Sequence, residues 1–118
     1  MEPINEGAIV IAPFRFGETE QKKLRPCLVW HVTPVCVVLV YISSKHVSET
    51  GSRPTEVALG LKEGTAVGLS KPSRIDFSKR DKIMPWQIVK IVGHIDALPR
   101  RKLAECAEAA DAAGLLNG

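Results

Sequence analysis

The stretch Pro26 to Ser43, PCLVWHVTPVCVVLVYIS, decides the fold. Pro26 to Val32 and Val35 to Ser43 are rich in β-branched and other apolar residues, and read as two strands. Thr33-Pro34 between them is a turn signal, with proline suited to the second turn position. Strands joined by so short a turn form an antiparallel hairpin. A sheet with one wet face alternates apolar and polar residues, yet Cys27 to Trp30 and Val35 to Val40 are apolar on both faces. Both faces should therefore be covered, one by a barrel core and the other by a helix or a second subunit.

Outward from this hairpin the elements are short. Ala8 to Phe14 reads as a first strand, and Gly17 to Leu24 as a charged loop. Val47 to Thr55 is a loop, Glu56 to Leu59 a short strand, and Lys62 to Gly68 turn-like. Ser73 to Ser78 alternates, with Arg74, Asp76 and Ser78 on one face and Ile75 and Phe77 on the other. Ile88 to Ile95 is a further strand. After Leu98 the period becomes helical: Leu103, Cys106, Ala107 and Ala110 form one stripe, with Pro99 in the first turn and Gly114 as the stop. The bases Arg100 to Lys102 and the acids Glu105 to Asp111 both oppose the helix dipole, so this helix serves tertiary packing. The expectation is a mainly β, α+β chain of five or six short antiparallel strands followed by a C-terminal helix.

With 118 residues, positions 1–118 should form a single domain that buries about 65% of its unfolded surface. Hydrophobic residues at 45% and charged residues at 25% exclude a disordered tail. The longest apolar run, Val35 to Ile42, is eight residues against the roughly 20 of a membrane span, so no membrane association is expected. The opening MEPINEGA is no secretory signal. Three cysteines without a CxxC spacing fit a reducing cytoplasm better than a disulfide framework.

The net charge of +3 conceals an uneven distribution. Residues 103–118 carry three acids and no base, which leaves +6 on residues 1–102. Lys71 to Lys82 holds five bases against Asp76 and Asp81, and Lys22, Lys23 and Arg25 form a second cluster. A basic body of this kind can attract a polyanion, although a solvated surface has the same composition.

His31, His46 and His94 have no metal-site spacing, and GxSxG, GxxxxGK[ST] and GxGxxG are all absent. Neither metal nor cofactor is expected. What remains is a polar constellation on β elements. Arg74 and Asp76 lie side by side on one strand face, Ser43 and Ser44 end a strand, and Arg25 opens one. Arginine and serine are phosphate-binding types, and an aspartate beside an arginine is a candidate proton carrier. The same Arg74/Asp76 pair is also what an exposed surface ion pair looks like. A base-stacking aromatic platform is not expected, since Phe77 points opposite Arg74, and Trp30 and Tyr41 lie in apolar runs.

Taken in order, GAIVIAPF (7–14), LRPCLVW (24–30), VYISSKH (40–46), GLSKPSRIDFSKRDKI (68–83) and GHIDALPRRKLAECAEA (93–109) resemble the MazF/PemK family of toxin–antitoxin ribonucleases. Two positions depart from that pattern: Ala8 stands where Asp is usual, and Ser43 where Thr is usual. The resemblance implies an SH3-like small antiparallel barrel with a C-terminal helix, a homodimer, and metal-independent cleavage of single-stranded RNA to 2′,3′-cyclic phosphate and 5′-hydroxyl ends. By resemblance Asp76 is the base, Arg74 the acid or phosphate clamp, Arg25 a second clamp, and Ser43 and Ser44 phosphate hydrogen-bonders. It further implies RNA contacts for Lys45, His46, Lys23 and Lys79, and a cognate antitoxin in the same groove. A non-catalytic binding module on the same barrel, and a gyrase-directed inhibitor docking around Trp86, are the alternatives. The homodimer expectation is checked by sedimentation at micromolar concentration: twice 12.9 kDa is expected, and a mass near 13 kDa contradicts it.

Overall fold

Apolar residues on both faces of the central hairpin require two cores, and two are found. In the computed structural model, described over residues 4–15, 22–44, 56–95 and 100–112, six antiparallel strands form one curled sheet. The elements are β1 (Ala8–Arg15), β2 (Lys22–Val32), β3 (Val37–Ser43), β4 (Glu56–Leu59), α1 (Leu61–Ala66), β5 (Ser73–Ile83), β6 (Lys90–His94) and α2 (Arg100–Ala112). The strand order is β4-β5-β3-β2-β1-β6, with the β2–β3 hairpin at its centre.

The first core joins Leu28, Val40, Ile42, Ile75 and Phe77 to the buried stripe Leu103, Cys106, Ala107 and Ala110 of α2. The helix thus covers one sheet face, as its period predicts. The second core lies on the other face. There Val10, Ala12, Phe14, Cys27, Val29, Leu39 and Tyr41 are closed over by the curl of the sheet and by Ile88. A single chain therefore covers both faces without a second subunit.

The reversed charge order of α2 also finds a reason. Arg80, across from Val40 on the helix-facing side, is partly buried; burial lowers its pKa, and the charge of Asp111 in the last turn of α2 acts against that shift. An acid in a position disfavoured by the helix dipole is offset by a half-buried cation.

Several boundaries differ from those expected. β2 begins at Lys22 rather than Pro26, because the β1 ladder pairs Arg15 with Lys22, Phe14 with Lys23 and Pro13 with Leu24, although Lys23 and Leu24 are exposed. Residues 61–66 form α1 instead of a turn. Six residues with a central glycine and an exposed Leu61 carry no helical stripe, and the segment is held by local bonds such as Gly64 N to Gly60 O at 2.8 Å and Thr65 Oγ1 to Leu61 O at 2.7 Å. β5 runs on to Ile83, past a bulge. Between Ile83 and β6 the chain makes a 3-10 turn at Pro85–Gln87, so β6 is shorter than expected. β3 starts at Val37 because Thr33 closes the hairpin: its hydroxyl accepts from the amides of Val35 and Cys36, and its amide donates to Cys36 O at 2.9 Å. The loop expected at 47–55 and the start of the C-terminal helix at Pro99 lie outside the described residues.

The segment that follows α1 packs by its backbone against the edge strand β6. Past α1, Gly68 adopts φ +95°, and a Cβ there would stand 2.2 Å from Val92 O. A Cβ on Gly93 of β6 would stand 1.8 Å from Val67 O. Only hydrogen fits on either side of this seam. Gly93→Ala should destabilise the fold by about 2–4 kcal/mol, read as a lower urea midpoint; an unchanged midpoint contradicts the seam.

Candidate active site

The central strands β3 and β5 are paired from Val37↔Ile83 to Val40↔Arg80, and again from Tyr41↔Asp76 to Ser43↔Arg74. Consecutive residues of β3 thus face residues of β5 four apart, and Phe77, Ser78 and Lys79 form a bulge. The bulge folds its own polar groups back on Asp76. The Ser78 amide donates to Asp76 Oδ1 at 3.0 Å and its hydroxyl to the same oxygen at 2.6 Å. Lys79 Nζ stands 3.5 Å from Oδ2.

Arg74 approaches from the other direction. Its Nη1 lies 2.7 Å from Glu56 Oε1 on β4 and 3.7 Å from Asp76 Oδ2. The side chains of Asp76 and Glu56 are each 1% exposed and that of Arg74 11%, so the pair read from the strand alternation is buried, not a solvated surface pair. Asp76 Oδ2 makes no hydrogen bond among the described residues, although two cations stand within 4 Å.

Tyr41 lies at the middle of this face, buried and packed on Phe14 with ring centroids 5.5 Å apart. Its ring holds two cations, the Arg25 guanidinium 5.4 Å from its centroid and the Lys79 ammonium 5.8 Å. Arg25 is half-buried, and its Nε has no hydrogen-bond partner among the described residues. Ser43, buried, faces Arg74 across the ladder.

Of the residues expected at a site, Arg25, Ser43, Arg74, Asp76 and Lys79 fall on one sheet face, Lys23 is an exposed residue of β2 on the same face, and Ser44 is exposed just past the end of β3. Lys45 and His46 lie outside the described residues. Glu56 and Tyr41 belong to the site and are not evident from the sequence as site residues. The alternation of Glu56-Val57-Ala58-Leu59 sets Glu56 opposite the apolar face, but only the β4–β5 register Glu56↔Asp76 shows what it meets. Among the described residues no group of three or more His, Cys, Asp or Glu side chains is placed to hold a metal ion, and no helix is long and apolar enough to cross a membrane.

Fold and site together define a small curled antiparallel β protein with a C-terminal helix, whose polar face holds a buried carboxylate among cations. The chain belongs to the PemK-like, MazF-like toxins of type II toxin–antitoxin systems, whose sequence profile matches residues 5–113. Solved structures share the fold. Toxin MazF-mt6 of Mycobacterium tuberculosis superposes with a TM-score of 0.67 at 20% identity, over 89% of this chain and 96% of that one. An endoribonuclease from a mycobacterial species gives 0.68 at 14% identity, over 95% and 94%. An endoribonuclease in complex with its cognate antitoxin, also mycobacterial, gives 0.67 at 16% identity, over 99% and 100%. No curated protein gives a significant match.

Beside the site, Cys27 is buried, and desolvation pushes its thiol up from 9.0 to about 12, against the pull of Arg25. The native thiol therefore binds its proton more tightly than the unfolded one. Its contribution to stability is complete below pH 9 and is lost as pH rises from 9 toward 12. Alkylation of the native protein at pH 9 should label the half-buried Cys36 and spare Cys27; labelling of Cys27 at an equal rate contradicts its burial.

Proposed function

We propose that this toxin is an endoribonuclease that cuts single-stranded RNA, mRNA among it, at short sequences without a metal. One observation carries the reading: the buried carboxylate of Asp76 keeps Oδ2 without a hydrogen bond among the described residues, on a face shared with Arg25, Arg74 and Lys79. The family and the two mycobacterial endoribonucleases of like fold support it.

The RNA supplies its own nucleophile. Asp76 Oδ2 takes the proton of a 2′-hydroxyl, whose oxygen bonds to the adjacent phosphorus. The phosphorus–O5′ bond breaks, the 5′-oxygen takes up a proton from solvent water on the cationic side of the site, and the hydroxide left takes the proton held by Asp76. The ends are a 2′,3′-cyclic phosphate and a 5′-hydroxyl. Charge building on the phosphoryl oxygens is met by Arg25, whose Nε lacks a hydrogen-bond partner among the described residues, by Arg74 and by Ser43. Ser44, Lys23, Lys79, Lys45 and His46 contact flanking nucleotides.

The same reading takes residues 1–118 as one toxin domain working in the cytoplasm, bound by a cognate antitoxin across the polar face. A homodimer rests on the family resemblance, since each core is closed within one chain. One feature favours a protein-directed inhibitor as second reading: Trp86 is 77% exposed, flanked by exposed Met84 and Val89. Recovery of gyrase on the toxin together with intact RNA would favour it.

The test is incubation of the purified protein with RNA in excess chelator. Cleavage with the two named end groups is expected. Asp76→Asn should lower kcat by on the order of 10²-fold or more, and Arg25→Ala should weaken cleavage similarly. Full activity of both variants, or a requirement for a divalent ion, overturns the assignment.

A further inference from the structure

Arg74 and Asp76 are two residues apart on one strand face, where a guanidinium and a carboxylate ordinarily close into hydrogen bonds of about 2.7–2.9 Å. They do not close here. Arg74 Nη1 stays 3.7 Å from Asp76 Oδ2, beyond hydrogen-bonding distance. The same nitrogen lies 2.7 Å from Glu56 Oε1. The β4–β5 register sets Glu56 directly across from Asp76, and only Ala58 across from Arg74. The guanidinium thus lies between two buried carboxylates and is bonded to one of them.

We infer that Glu56 is a positioning residue, which tethers Arg74 away from Asp76 Oδ2 and so keeps that oxygen open to a substrate proton. The inference rests on the ribonuclease reading of this site. Glu56 touches no reacting atom; it acts through Arg74. Its burial argues for such a role, because a carboxylate with 1% of its side chain exposed, on an edge strand, is costly unless paired. Replacing Glu56 removes the 2.7 Å bond that competes with Asp76 for the guanidinium, which then closes onto Asp76 as such pairs ordinarily do.

The experiment is Glu56→Gln, which keeps the shape and removes the charge, assayed on a defined oligoribonucleotide. A fall in kcat on the order of 10-fold is expected, with KM unchanged or lower, because a negative charge leaves a cationic face. In an Arg74→Ala background the same substitution should change kcat less than about 2-fold. Equal losses in both backgrounds, or a rise in KM with kcat retained, overturn the inference. Should Glu56→Gln not fold, Glu56→Asp, which withdraws the charge by one methylene, enters the same comparison. A readout independent of activity is the ¹⁵N signal of the Arg74 side chain. It should move with Glu56→Gln, and only in that background should Asp76→Asn then move it strongly. A signal indifferent to Glu56→Gln overturns the tether. Wild-type protein that leaves RNA intact refutes the ribonuclease reading, and the spectra still decide the tether.

Discussion

Burying the carboxylate of Asp76 is the constraint from which the polar face follows. A lone carboxylate taken out of water costs many kcal/mol, and chains keep one only where donors and cations replace its hydration. Here the replacement is asymmetric. One oxygen takes both hydrogen bonds of Ser78, while the other has cations near it and no hydrogen bond among the described residues. The first oxygen anchors the group, and the second keeps its capacity to accept. A carboxylate satisfied on both sides would be more stable and less useful.

This asymmetry is a property of the backbone before it is one of side chains. Without the bulge at residues 77–79, β5 would continue its alternation and Lys79 would lie on the same face as Ile75 and Phe77, toward the helix-covered core. The bulge instead turns Lys79 onto the face of Tyr41, whose ring it shares with Arg25. The aromatic ring, pinned by Phe14, holds two like charges at positions they would leave if solvated. Core packing and the chemistry of the site thus meet in one side chain.

Much of the fold is legible in the sequence because it is written in burial. The unalternating hairpin requires two covered faces, and the stripe Leu103, Cys106, Ala107, Ala110 supplies the cover for one. Features made by pairing rather than by burial are not legible: the start of β2 at Lys22 and the length of β5 depend on partners distant in sequence, and the short helix 61–66, held by local bonds, has no apolar stripe to mark it. The site divides in the same way. Arg74 and Asp76 can be read as neighbours from strand alternation alone, but neither their burial nor the closer contact of Arg74 with Glu56 can, since that contact exists only through the β4–β5 register. Tyr41 lies in an apolar run and reads as core, which it is; its second role, facing two cations, has no sequence mark.

The seam at Gly68 and Gly93 joins a ladder of long reach, since β6 also pairs with β1, Ala8 against His94. The first strand therefore waits for the last. During vectorial synthesis β1 finds β2 within a few residues, but its other edge stays unpaired until nearly all of the sheet has left the ribosome, several seconds later at about 5–20 residues per second. Through that interval the growing chain carries an open strand edge, the kind of surface on which chains associate wrongly. A message broken before the codons of β6 yields a product with that edge still open, not a smaller version of the finished sheet.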